Sequence, residues 1–119
     1  MNFESPTLLA DLEQATASEL DDAGFGVIRM DRDGVVLNFS RRESQLSGLS
    51  AHTVLGRNFF IEVAPCTNNF MVAERYAEPG DLDEGLDYVF TYRMKPRKVR
   101  LRLLKRADGA EQYLVVIER

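Results

Sequence analysis

The chain has 119 residues, 45% of them hydrophobic and 29% charged, a balance that excludes a disordered polymer and fits one folded domain. A formal charge of -4 argues against wholesale nucleic-acid binding, which needs Lys and Arg in excess to neutralise phosphates. One cysteine rules out an internal disulfide, and apolar runs of only a few residues rule out a membrane-spanning helix.

The N-terminal MNFESPTLLADLEQ is acidic and lacks the basic stretch of a secretory signal, so a cytoplasmic setting is expected. Residues 7–17 read as a short amphipathic helix, with Thr7 as cap and Leu8, Leu12 and Ala15 on one face. FGVIRM (25–30) and VVLNF (35–39) are β-type runs joined through Asp33-Gly34, a hairpin signal. Short helical pieces follow over 40–56, punctuated by Gly48 and Gly56, with Ser50 capping the second. Another helix is predicted over 68–80, ending at Pro79-Gly80.

The second half carries the sharper pattern. Leu86, Tyr88, Phe90, Tyr92 and Met94 alternate with Asp87, Val89, Thr91 and Arg93, which predicts a strand with an aromatic row on one face. Lys95-Pro96-Arg97 is read as a turn, and Val99, Leu101 and Leu103 then alternate with Lys98, Arg100 and Arg102. After Asp108-Gly109, YLVVI (113–117) is apolar on both faces and therefore central. Two strands, a helical middle and three strands make an α/β (α+β) domain, an antiparallel sheet with helices over one face and room for a ligand between them.

Charge is unevenly spread. Lys95, Arg97, Lys98, Arg100, Arg102, Lys105 and Arg106 crowd one stretch, and Glu4, Asp11, Glu13, Glu19, Asp21 and Asp22 the other end. The ordinary reading is solvated faces; the sharper one docks the acidic N-terminal helix on the basic strand. Enzyme signatures are thin. His52 is the only histidine, so no histidine cluster or two-histidine metal site can form, and a Cys66/His52 nucleophile–base pair is the minimal set catalysis would have. Phosphate-binding glycine loops are missing. Cys66 itself follows Pro65, just ahead of the helix predicted over 68–80. A lone cysteine is ordinarily a small buried hydrophobe, but a helix N-terminus there would favour the thiolate.

The segments AGFGVIRMDRDGVVLNF, LGRNFFIEVAPCT and YVFTYRMKPRKVR resemble the photoactive yellow protein family, blue-light receptors with a PAS fold. The resemblance runs from about Ala23 to the C-terminus, with one short deletion after Cys66. It implies a single PAS-like sensor domain over 1–119, with an N-terminal cap (1–22) behind the sheet of the core (23–119). It also implies 4-hydroxycinnamic acid (p-coumaric acid) bound covalently as a thioester to Cys66. Glu43 matches the protonated acid that donates to the chromophore phenolate, and Ser47 stands where the family has threonine. Ile28, Phe59, Val63, Ala64, Thr67, Phe90, Tyr92 and Met94 match pocket-lining positions, Met94 that of a methionine associated with dark recovery.

Two positions depart from the pattern. Phe39 replaces the tyrosine that donates a second hydroxyl, and Leu49 replaces the arginine over the pocket mouth. Losing one charge-assisted hydrogen bond costs roughly 1.5–3 kcal/mol, which raises a phenol by about one or two pKa units. The implied mechanism is isomerisation, proton transfer from Glu43 and loosening of the N-terminal cap, read by an unidentified downstream protein, with no nucleic acid or membrane partner. The alternative is a PAS-like regulatory or protein-binding module that has lost the chromophore or its photocycle.

Overall fold

Period-two patterning decides the architecture. The computed structural model describes residues 1–91 and 95–119, so Tyr92 and Met94 lie outside the described residues. Five strands form one sheet: β1 (Gly26–Asp31), β2 (Val36–Phe39), β3 (Leu82–Phe90), β4 (Arg97–Lys105) and β5 (Glu111–Glu118). Their spatial order is β2-β1-β5-β4-β3, and every pairing is antiparallel. The doubly apolar YLVVI run is the centre of the sheet, as its composition requires. Two strand limits differ from the sequence reading. β3 begins at Leu82, and Arg97 opens β4 instead of ending a turn.

Alternation along β5 builds two cores. Leu114 and Val116 join Ile28, Met30, Leu101 and Leu103 beneath the helical middle. Tyr113 and Val115 join Val27 and Leu104 against an N-terminal cap that contributes Phe3, Leu8, Leu12 and Leu20. The cap is two helices, α1 (Leu8–Gln14) and α2 (Ala17–Asp21), not one over 7–17. The break is chemical: Thr16 and Glu19 form a reciprocal capping box, which starts a new helix there. Thr7 makes no cap bond; its hydroxyl donates to Asp11 at 3.3 Å.

The cap is tied down by arginines. Arg102 Nη1 donates to the carbonyls of Phe3 and Ser5 at 2.8 and 2.7 Å. Arg106 Nε meets both carboxylate oxygens of Glu13, at 2.9 and 2.8 Å, and Arg29 donates to the carbonyls of Leu12 and Ala15 at 2.7 and 3.1 Å. The basic stretch is thus not uniformly solvated. Lys105 is 2% exposed, donates to the carbonyls of Tyr76 and Glu78, and has its pKa lowered by burial and by the charge of Arg32.

Between β2 and β3 run α3 (Arg41–Ser47), α4 (Ala51–Val54) and α5 (Ala73–Ala77). Ser40 and Ser50 cap the first two, accepting from the amides of Glu43 and His52. A single π turn, Phe59–Val63, starts at Asn58, whose carboxamide oxygen accepts from the amides of Phe60 and Ile61. A 3-10 turn follows at Pro65–Thr67. The helix expected over 68–80 shrinks to α5, because Asn69 Oδ1 takes the amides of Met71 and Val72 at 2.9 and 3.2 Å. That local bonding competes with helix formation. Gly34 accounts for the first hairpin signal: it sits at φ 91°, and an added Cβ would lie 3.0 Å from the Phe60 ring. No described helix is long and apolar enough to cross a membrane.

Candidate functional site

The end of the β3–β4 hairpin gathers the chemistry. Phe90 closes β3 and pairs in register with Arg97, the first residue of β4. Phe90 is buried, and the Arg97 guanidinium carbon lies 5.5 Å from the centre of its ring. The Thr91 amide donates to Cys66 Sγ at 3.5 Å. On the neighbouring strand, Arg97 Nη1 donates to Glu43 Oε2 at 3.2 Å. The thiol and the acid are therefore delivered to one corner, the first by the 3-10 turn and the second by α3.

The thiol is half-buried on a fixed turn. The Ala64 carbonyl accepts from the amide and hydroxyl of Thr67 at 2.9 and 2.7 Å. The Cys66 carbonyl accepts from the Tyr88 hydroxyl at 2.5 Å and from Asn69 Nδ2 at 3.0 Å. Asn69 Nδ2 also donates to the Tyr88 oxygen at 2.7 Å, which closes the triangle. The expected α-helical N-terminus at Cys66 is absent, since α5 starts only at Ala73. A three-residue turn lacks the aligned peptides that make a macrodipole, so that argument for the thiolate lapses. His52 is exposed on α4, and the described partner of Cys66 Sγ is the Thr91 amide, not an imidazole.

Glu43 is 0% exposed. It fits because β1 presents Gly26 beneath it: a Cβ on Gly26 would lie 2.4 Å from Glu43 Oε1. The family resemblance implies an uncharged Glu43, whereas here the carboxylate is ion-paired to Arg97, whose side chain is 11% exposed. Arg97 also holds Glu118, from Nε at 2.8 Å and Nη2 at 2.7 Å. One guanidinium thus serves two carboxylates, one buried and one at the rim. Such a planar, permanently charged fork suits both. From sequence alone Arg97 reads as part of a turn and of a charged run. Extending the Val99–Leu101–Leu103 alternation back by one step puts Arg97 on the core face, and that signal was available.

The other expected site residues fall as follows. Ile28 and Phe39 oppose each other across β1 and β2, both buried. Phe59 and Ala64 are buried and Val63 half-buried in the same cluster as Phe90. Thr67 and Ser47 are buried hydroxyls, and Ser47 Oγ accepts from the Leu49 amide at 3.1 Å. Leu49 is half-buried and lines a 190 Å³ cleft with Thr53, Val54, Arg57, Glu62 and Val63. Tyr92 and Met94 lie outside the described residues. Tyr88 and Asn69, the clamps on Cys66, were missed; Tyr88 shares the inward parity of Phe90, but the role of Asn69 had no sequence signal.

The family model for the PAS fold matches residues 15–119. The chain is 37% identical over 116 residues to the photoactive yellow protein of Rhodothalassium salexigens, with 92% of each chain covered. It is 33% identical over 122 residues to that of Halochromatium salexigens, covering 100% of this chain and 97% of the other. Among solved structures, the photoactive yellow protein domain of the sensor histidine kinase Ppr from Rhodospirillum centenum superposes with a TM-score of 0.82 at 34% identity. That match covers 92% of this chain and 98% of that one. With a PAS-fold match over residues 15–119 and these relatives, the chain belongs to the photoactive yellow protein family.

Proposed function

We propose that the chain is a blue-light receptor that carries 4-hydroxycinnamic acid as a thioester on Cys66. The observation that supports this most is the convergence of the Cys66 thiol and the Glu43 carboxylate on the Phe90–Arg97 corner. The donor set suits the group: a nucleophilic sulfur at one end, and a proton-exchanging acid with a cation beside it at the other. When bound, the group supplies blue-light absorption and isomerisation of its vinyl bond.

The chain's residues supply the rest. Cys66 Sγ makes the covalent bond, with its turn held by Tyr88 and Asn69. Ile28, Phe39, Phe59, Ala64 and Phe90, all buried, exclude water from the acidic end; Val63 and Thr67 complete the described wall, and Tyr92 and Met94 are proposed to extend it. Glu43 holds the proton at its carboxylate and gives it up after light. The resulting carboxylate has Arg97 within reach, so the several kcal/mol cost of an uncompensated buried charge is reduced. The N-terminal cap is the proposed output, loosened through the sheet.

The test is mass and colour. Protein exposed to activated p-coumaric acid becomes yellow and heavier by one coumaroyl group on Cys66, and Cys66→Ala does not. A colourless, unmodified wild-type chain overturns the reading in favour of a regulatory PAS module without chromophore, which the apolar Phe39 and Leu49 favour.

A further inference from the structure

We propose that Arg97 is the cation this site offers to the ionised end of its ligand, shared with Glu43; the inference rests on the function proposed above. Phe39 and Leu49 carry no donor where the family resemblance implies a hydroxyl and a guanidinium. An anion buried without donors is costly, and in such a setting it protonates instead. The described side chains place one guanidinium at this corner, with its charge on the Phe90 ring and its Nη1 on Glu43. A cation on an aromatic face is partly desolvated, which strengthens its hold on a nearby anion.

Charge counting gives the step. Glu43, Glu118 and Arg97 together carry one negative charge. A ligand that enters with an acidic O–H leaves that total unchanged when the bond breaks and its proton passes to a Glu43 oxygen. The Arg97 fork, with five N–H donors, then turns from Glu43 to the ligand's oxygen while Glu118 keeps its Nε side. No external acid or base is required. The charged groups around Glu43 among the described residues permit this. β4 presents Arg97, with Glu118 of β5 behind it, and β1 presents Gly26, which does not titrate. Asp21 of α2 engages the amide of Arg41. On α3 itself Arg41 and Arg42 are exposed. The same fork explains selectivity: a ligand whose far end cannot ionise leaves Arg97 on Glu43 and gains nothing from it.

The experiment uses the full chain reacted with p-coumaric anhydride, in which Cys66 Sγ displaces p-coumarate and the thiol proton leaves with it. Absorbance is titrated in the dark for wild type, Arg97→Lys and Arg97→Gln. The midpoint should rise by about one to two pH units in Arg97→Gln, the loss of one charge-assisted hydrogen bond, and stay within about half a unit in Arg97→Lys, which keeps the charge. Should Arg97→Gln not fold, Glu43→Gln is compared with Glu43→Gln/Arg97→Gln, where no buried carboxylate is stranded, and the same rise is expected. An unchanged midpoint on removing Arg97 overturns the inference while leaving the adduct intact. A wild-type chain that forms no adduct overturns the proposed function, and the inference with it.

Discussion

Substituting Gly26 with alanine tests how the buried acid is housed. The added Cβ would sit 2.4 Å from Glu43 Oε1, 3.1 Å from its Cβ and 3.2 Å from its Cδ. Glu43 has no exposed surface into which to retreat, so it must leave Arg97 or the helix must shift. Overpacking costs roughly 1–3 kcal/mol, and separating a buried ion pair about 3–5 kcal/mol. Gly26 is not among the positive-φ glycines, so alanine returns about 0.4–1 kcal/mol by restricting the unfolded chain. The net loss is about 2–4.6 kcal/mol if the ion pair opens and at most about 2.6 kcal/mol if the helix shifts instead, read in urea unfolding as a lowered midpoint at unchanged slope. In a Glu43→Ala background the overlap with Oε1 and Cδ disappears and only the 3.1 Å Cβ contact survives. There the same substitution should cost less than about 1 kcal/mol. Equal costs in the two backgrounds would falsify the account of this close approach.

Three further outcomes are expected. Tyr113 is pushed up to about 12, mainly by burial, and burial holds Tyr76 well above its ordinary value. The unfolded chain therefore loses these protons first, so stability falls as pH rises above 10, at about 1.4 kcal/mol per pH unit for each tyrosine; Tyr113→Phe should flatten that slope in denaturant melts, and an unaltered slope refutes the assignment. Tyr88→Phe removes the donor to the Cys66 carbonyl and should lower stability by roughly 1 kcal/mol while speeding reaction of Cys66 with a disulfide reagent; unchanged thiol kinetics would mean that the clamp is unimportant. Phe39→Tyr restores a hydroxyl at the site, and the midpoint of the coumaroyl adduct should fall by about one or two units, with identical titrations refuting a donor role at position 39.

Much of the fold was legible because strands announce themselves by alternation. YLVVI had to be central, and β3 had to place Leu86, Tyr88 and Phe90 inward. The helical segments were harder. They are four to seven residues long, too short for hydrophobic period to set their ends, and local side-chain bonds from Thr16 and Asn69 decided them instead. At the site, Glu43 came from resemblance alone, whereas Cys66 was also singled out by its place ahead of a predicted helix, which starts only at Ala73. Nothing in the spacing of Glu43 distinguishes a fully buried acid from an exposed helix residue, because its burial depends on a glycine on another element, 17 positions away. Arg97 was hidden for a different reason: a guanidinium in a charged run reads as solvated until its strand parity is counted.

β5 belongs to both cores, with Leu114, Val116 and Glu118 on the side of the acid and Tyr113, Val115 and Ile117 on the side of the cap. A slide by one position would exchange those two sets and expose each to the wrong partners. Movement passed from Arg97 to the Glu118 end of this strand is thereby restricted to tilting or fraying in place. Under the proposed function, a light signal crossing the sheet should appear as weakened amide protection at the Glu118 end, with the pairing between neighbours otherwise preserved.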